Sequence, residues 1–477
     1  MKTLLIFPPW VNLFNNHKQP EGILPLGLAS LSAFLKKNGK EVSVMDLNIQ
    51  TYMDAKKKDQ EQWYEKYRGI LENQSKFLQK NIPRMNYLTE GWVDKILKSE
   101  AKVIGFYISY STEQMALYLS KKIKEKNKNI RIIFGGPQCY QERARASLES
   151  QLVDIVVVGE GEMTLLDIVN NLEKTDQIQA CPGMLFMRNG EIIDGGPREF
   201  IKDLDSLPYP DFSDFIDDYK NTLGRDYISL TISWLRGCTH QCAFCYESKL
   251  WGRPRMRSPQ SICHEFIHQK KTYGVSRFFK ADSTLAISEK QLTETCDLLI
   301  NEKADVQWFS QARPEKYLSL ELLQKIKKSG CTCLSYGVES GAQSVIKKMN
   351  KGFELKSVQE IINNTVKAGI KPAMGLMVDS PGETPIDYIK TIGFMLKNKK
   401  YIKNISVASA AVTPMSDWSL HPGKYHIITN DSLRKVGNFP WRTKYYLNNS
   451  YLREIKRILL EIIKYAHIVY FKLLSKD

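Results

Sequence analysis

The stretch Ser233-Trp234-Leu235-Arg236-Gly237-Cys238-Thr239-His240-Gln241-Cys242-Ala243-Phe244-Cys245-Tyr246 places three cysteines within eight residues, at spacing C-x3-C-x2-C. Thiolates are soft donors suited to zinc or to iron–sulfur clusters. A closed zinc site wants four ligands, and no fourth cysteine is near. His240 lies inside the motif, while Cys263 and His264 follow some way on. Three thiolates on one tight loop fit a [4Fe–4S] cluster with one iron left open for a small molecule. The alternative is a structural metal loop.

The motif directly follows a candidate strand, Tyr227–Ser233. Further candidate strands are Val275–Lys280, Val306–Ser310, Cys333–Gly337, Ala373–Val378 and Ile405–Ala410, with helical stretches between them. Six such βα units predict a partial (β/α)6 barrel over 226–415, whose active site belongs at the C-terminal strand ends. The cysteine loop sits at one of those ends.

Upstream, the same alternation predicts a second α/β unit. Thr3–Phe7, Glu41–Asp46, Val103–Ile108, Ile130–Phe134 and Ile155–Val158 read as strands, with helices at 24–37 and 112–126. This is a Rossmann-like parallel sheet over 1–165, with 52–98 as a helical insertion. Ligands of such sheets bind beyond the strands' carboxyl ends, where Gly135, Gly136, Gly159 and Gly161 fall. Asn189-Gly190 between two alternating segments is a hairpin signal. The stretch 166–225 otherwise loses the pattern and reads as a linker. The region 416–477 reads as a C-terminal helical segment.

Composition bounds the function. The chain has 477 residues, 43% hydrophobic and 25% charged, so a disordered chain is excluded. Its formal charge is +16, and residues 442–477 contribute +5 of it. Leu452, Ile455, Leu459, Ile462, Ala466, Val469 and Leu473 form an apolar stripe there. The stripe suits packing on the barrel or, in a second reading, a peripheral membrane contact through 450–474. No compact basic-aromatic motif supports nucleic-acid binding. Nine cysteines are an odd set for a secreted disulfide scaffold, and no run reaches the roughly 18 apolar residues of a membrane span. A cytoplasmic protein is expected, peripheral at the inner membrane face if the second reading holds.

The cysteine motif, with Phe244 before its last cysteine, resembles the signature of radical S-adenosylmethionine (SAM) enzymes. That resemblance implies Cys238, Cys242 and Cys245 as ligands of a [4Fe–4S] cluster. It further implies SAM on the open iron and a 5′-deoxyadenosyl radical. Other strand ends resemble the family's SAM contacts. Asp282 matches half of an acidic pair whose first position is Ala281 here. Arg313 follows the third strand, Glu339 and Ser340 the fourth, and Gly375 lies in the fifth-strand motif. Phe244 belongs with these as a cofactor-side residue. The loop after the sixth strand departs from the family pattern. Its His421, Trp418 and Tyr425 are candidate substrate-side residues, with packing the favoured reading for Trp418.

Phe7-Pro8-Pro9, Leu24-Pro25-Leu26-Gly27, Ile104 to Ser111, Gly135-Gly136-Pro137 and Val158 to Glu162 resemble the N-terminal domain of cobalamin-binding radical SAM enzymes. By that likeness Ser109, Ser111, Gly135, Gly136 and Gly159 are cobalamin contacts. The Asp-x-His-x-x-Gly motif of other cobalamin proteins is absent, and His17 stands in a different context, so His-off cobalamin is expected. No cysteine precedes Cys139, unlike methylthiotransferases. The implied activity is C-methylation of a small-molecule, lipid or peptide substrate. Radical cyclisation, ring contraction or rearrangement is the alternative, and a non-catalytic RNA- or membrane-binding protein is the reading from another class. An electron donor such as flavodoxin or ferredoxin is implied.

Overall fold

Thr3–Phe7 is a strand with all five residues buried, flanked by parallel strands on both sides. A centre strand covered on both faces must read as a continuous apolar run, and Leu4, Leu5, Ile6 and Phe7 do. The computed structural model describes residues 1–9, 22–60, 82–402, 404–429, 441–443 and 459. The chain divides into two compact units, Met1–Thr231 with His268–Arg277, and Ile232–Ile267 with Phe278–Asp477.

In the first unit the sheet runs Val42–Asp46, Thr3–Phe7, Val103–Tyr107, Arg131–Gly135, Ile155–Val157, then Met184–Arg188 and Glu191–Asp194. The first five are parallel. In chain order that is 2-1-3-4-5, a doubly wound sheet that reverses direction between Thr3–Phe7 and Val103–Tyr107. A ligand crevice belongs at such a reversal, beyond the strand ends. Phe7 and Tyr107 meet there with ring centroids 5.2 Å apart.

The stretch expected as a linker is instead built into this unit. Helix Gly161–Thr175 covers the sheet, and the antiparallel hairpin extends it, Val156 pairing with Leu185. Asn189 and Gly190 turn the hairpin with φ of 51° and 82°, as a type I′ turn requires. Helix Ile216–Leu223 returns to the far edge, where Tyr219 Oη donates to Asp46 Oδ2 at 2.9 Å. Of the expected insertion 52–98, Ile82–Lys98 is helical as read, Tyr52–Asp54 end helix Leu47–Asp54, and 61–81 lies outside the described residues.

Asp46 caps helix Leu47–Asp54, accepting from Asn48 N at 2.9 Å and from Ile49 N at 3.4 Å. Its complete burial outweighs these bonds and pushes its carboxyl up to about 7. A carboxyl raised on folding stabilises the native state below its unfolded pKa, and that contribution is lost as pH rises towards 7. Asn is an equally good cap. Asp46→Asn is therefore expected to flatten the fall in melting temperature between about pH 4 and about pH 7, measured by circular dichroism.

In the second unit five parallel strands stand side by side in chain order: Arg277–Lys280, Gln307–Ala312, Cys331–Glu339, Lys371–Val378 and Asn404–Ser409. The first expected strand, Ile228–Ile232, reaches them through its last residue, whose carbonyl accepts from Ala281 N at 3.0 Å. The sheet is the curled parallel half-barrel that the spacing anticipated. Ser288, Ser319 and Thr384 cap helices Glu289–Asn301, Leu320–Lys328 and Pro385–Asn398 by accepting from Gln291 N, Leu322 N and Asp387 N. Each cap stops a loop and aims the next helix back along the sheet. Apart from Leu459, which is helical, the expected C-terminal helix 450–474 lies outside the described residues, as does His17. Among the described residues no helix is long and apolar enough to cross a membrane.

Candidate active site

The cysteine loop is pinned from two sides. Ala243 N–H donates to Met349 O at 2.8 Å, and Asn350 Nδ2 to Gln241 O at 2.8 Å. Trp418 N–H donates to Ala243 O at 3.0 Å, and Thr413 Oγ1 to Phe244 O at 3.1 Å. Ala243 is buried in a small core with Met349, Val412 and Trp418. This fixes the backbone and leaves Cys238, Cys242 and Cys245 half-buried and free of disulfides. Cys245 N–H turns back onto Cys242 O at 3.0 Å. Among the described residues no three His, Cys, Asp or Glu groups gather closely enough to share one ion.

Burial pushes the Cys238 thiol up and the Cys245 thiol up to about 11, the latter with the charge of Glu247 adding to it. Thiolate ligands must lose these protons on metal binding.

Arg313, just past strand Gln307–Ala312, donates from Nη1 to Cys242 Sγ at 3.6 Å. Its Nε lies 3.0 Å from Glu315 Oε1, an ion pair whose N–H is not aligned on the oxygen. His240, inside the cysteine motif, brings Nε2 to 2.7 Å from the same oxygen. Burial pushes the Glu315 carboxyl up, but His240 beside it and the charges of Arg313 and Lys351 hold it below the usual range.

Glu339 ends strand Cys331–Glu339 in the left-handed region, φ 71°, after a break in register with its neighbour. Non-glycine residues held so cost about 1–3 kcal/mol and mark sites where geometry matters. Lys351 Nζ donates to Glu339 Oε1 at 3.2 Å and lies over the rings of Phe244 (5.6 Å) and Phe353 (5.5 Å). A Cβ on Gly337 would come within 2.8 Å of Glu339 Oε1, so glycine leaves room for this carboxylate. Gly337, Gly375 and Ser406 stand in register across three strands. They form a floor of minimal side chains beneath the charged groups. Phe244, Arg313, Glu339 and Gly375 are thus grouped around the cysteine loop and the strand ends.

Asp282 and Ser340 stand differently from the sequence expectation. Asp282 accepts Ser233 Oγ (2.7 Å), Trp234 N (2.8 Å) and Lys280 Nζ (2.7 Å). It ties two strand ends together. Ser340 is fully buried, its Oγ 3.0 Å from Thr391 Oγ1 and accepting from Ala342 N at 3.2 Å. Both match the motif by position, but their side-chain bonds are to the protein. Lys280 is itself fully buried, over the Trp234 ring and donating to Thr284 O at 2.7 Å. Removing one partner of a buried pair typically costs about 3–5 kcal/mol. Lys280→Met is expected to lower unfolding free energy by about that amount in urea titration, and Lys280→Met with Asp282→Asn by less.

Of the residues after the sixth strand, Trp418 packs on Phe244, ring centroids 5.8 Å apart, as the packing reading expected. His421 is exposed and 3.7 Å from Asp417, which also pairs with Lys424 and takes a hydrogen bond from Tyr425. Lys351 and Glu315 escaped the sequence reading because single charged residues beyond strands are ordinary surface features until their partners are known.

In the first unit Gly135 ends its strand, and Ser109, Ser111, Gly136 and Gly159 follow the C-terminal ends of that strand and its two neighbours. Ser109 N–H donates to Thr112 Oγ1 at 2.8 Å, which donates to Tyr107 O, closing that loop. Gly136 has φ 127°, and a Cβ there would strike Ile108 O at 2.6 Å. Its glycine is needed by the protein's own loop packing. Gly159 has φ 88°, and a Cβ there would meet nothing within 4 Å, so backbone faces open space. Below this edge Arg143 Nε donates to Glu113 Oε1 at 3.2 Å.

Residues 232–395 match the Radical SAM superfamily. An uncharacterised methyltransferase of Pyrococcus horikoshii is 24% identical over 399 residues, covering 83% of this chain and 78% of the relative. The cobalamin-dependent S-adenosylmethionine radical enzyme OxsB, solved with aqua-cobalamin, superposes with TM-score 0.70 at 15% identity, covering 100% of this chain and 75% of that one. The radical S-adenosylmethionine methyltransferase TsrM of Kitasatospora setae, solved with cobalamin and a [4Fe–4S] cluster, gives 0.64 at 13% identity over 90% and 77%. At these identities the structural likenesses establish the fold.

Proposed function

The second unit of this chain is a radical SAM domain, and from that premise we propose that the chain is a cobalamin-dependent radical SAM enzyme that methylates an unactivated carbon of its substrate. The observation carrying the proposal is the pinned loop of three free, half-buried thiols at the strand ends, with a guanidinium on one sulfur. Cys238, Cys242 and Cys245 would hold the [4Fe–4S] cluster. When bound, SAM on the cluster supplies a 5′-deoxyadenosyl radical and cobalamin supplies a transferable methyl group. Glu339 offers an acceptor for the SAM ammonium, and Gly337 and Gly375 leave volume beside it. Ser109 and Ser111, with open backbone at Gly159, would cradle cobalamin, as the doubly wound sheet's reversal point suits. The methyltransferase names of the Pyrococcus relative and of TsrM support methyl transfer, and relatives named anaerobic magnesium-protoporphyrin IX monomethyl ester cyclase, 25% and 28% identical, keep radical cyclisation as the second reading. The electron comes from a small donor such as flavodoxin or ferredoxin.

The test is product analysis with SAM and reductant. Methyl transfer through cobalamin requires S-adenosylhomocysteine as well as 5′-deoxyadenosine. 5′-Deoxyadenosine alone would favour radical rearrangement, and neither product would reject the proposal.

A further inference from the structure

We propose that Arg313 sets the reduction potential of the cluster through Cys242, and that Glu315, braced by His240, sets how much of that charge the cluster feels. The inference rests on the cluster proposed above.

The argument begins with a closed circuit of contacts that leaves the cysteine loop and returns to it. His240, between Cys238 and Cys242, reaches Glu315 at 2.7 Å. Glu315 lies 3.0 Å from Arg313, and Arg313 donates to Cys242 Sγ at 3.6 Å. The guanidinium has little freedom. It stacks over Phe353 at 5.1 Å, and Gly352, with φ 69°, passes close enough that an added Cβ would lie 3.4 Å from Nη2. Arg313's side chain is 10% exposed and that of Glu315 23%, so water screens neither charge well.

Hydrogen bonds to cluster sulfurs and nearby charge are the protein's means of tuning potential. A positive donor on Cys242 stabilises the added electron and raises the potential. The Glu315 carboxylate opposes it through the same short path. Because the Arg313–Glu315 contact is electrostatic and poorly aligned as a hydrogen bond, its effect depends on charge more than on geometry. The two residues should therefore act with opposite signs. A merely structural role would move both variants the same way, through a loosened loop.

The experiment is an EPR-monitored redox titration of the reconstituted full-length chain, with iron quantified for each sample. Arg313→Gln is expected to shift the midpoint negative. Glu315→Gln keeps an acceptor but loses the charge, and is expected to shift it positive. Arg313→Lys should fall between wild type and Arg313→Gln. Should Arg313→Gln fail to load iron, Arg313→Lys against Glu315→Gln makes the same comparison, again with opposite signs. Shifts of the same sign, or no shift in either variant, would overturn the inference while leaving the enzyme reading intact. A wild-type chain with no reducible cluster would overturn both.

Discussion

Cys242→Ala is expected to leave the fold intact and to abolish reductive SAM cleavage, a loss of at least about 10³-fold. The loop does not depend on the thiol for its shape. Its backbone is held by Met349, Asn350, Thr413 and Trp418, and its apolar anchor is Ala243. A half-buried cysteine replaced by alanine leaves at most a small cavity there. What is lost is one of three thiolates, and with it the cluster's attachment. Iron and acid-labile sulfide per chain are expected to collapse while circular dichroism and melting temperature stay close to wild type. An intact cluster with undiminished cleavage would refute the ligand assignment. Zinc in place of iron in the wild-type chain would indicate a structural metal loop.

The second large effect belongs to the first unit and separates two glycines that look alike in sequence. Gly136→Val places a branched side chain at φ 127°, against Ile108 backbone atoms at 2.6 and 2.9 Å. Backbone cannot step aside as a flexible side chain would. The expected destabilisation is about 3 kcal/mol or more, read by urea denaturation, with cobalamin absorbance lost as a consequence. Gly159→Ala carries only the strain of a positive φ, about 1 kcal/mol, because its Cβ would enter empty space. If that space receives cobalamin, Gly159→Ala loses cobalamin absorbance with little change in stability. Unchanged cobalamin binding in Gly159→Ala would remove Gly159 from the cofactor site.

Much of this was legible in the chain because the signals were local. An apolar run before Pro8-Pro9 is a buried strand whatever surrounds it, and three cysteines on one loop are close by connectivity alone. Asn189-Gly190 announced its turn. The hairpin's place in the first sheet was hidden, because Val156–Leu185 pairing depends on a strand elsewhere in the chain. The same holds for Asp46 and Tyr219, 173 residues apart yet bonded. Site residues divided along the same line. Position in a motif located Asp282 and Ser340 correctly just past the ends of their strands. It did not reveal that Ser233, Trp234, Lys280 and Thr391 already engage their oxygens. Lys351 lacked any spacing signal, since its partners Glu339, Phe244 and Phe353 converge only in the fold.

The central claim is that the three-cysteine loop carries a cluster with an iron open to SAM. The most direct measurement is the EPR spectrum of the anaerobically reconstituted, reduced chain, recorded with and without SAM. The account requires the signal of a reduced [4Fe–4S] cluster whose shape changes when SAM is added, because the ligand joins the open iron. A cluster signal indifferent to SAM, or no iron-based signal from a folded chain, would contradict it.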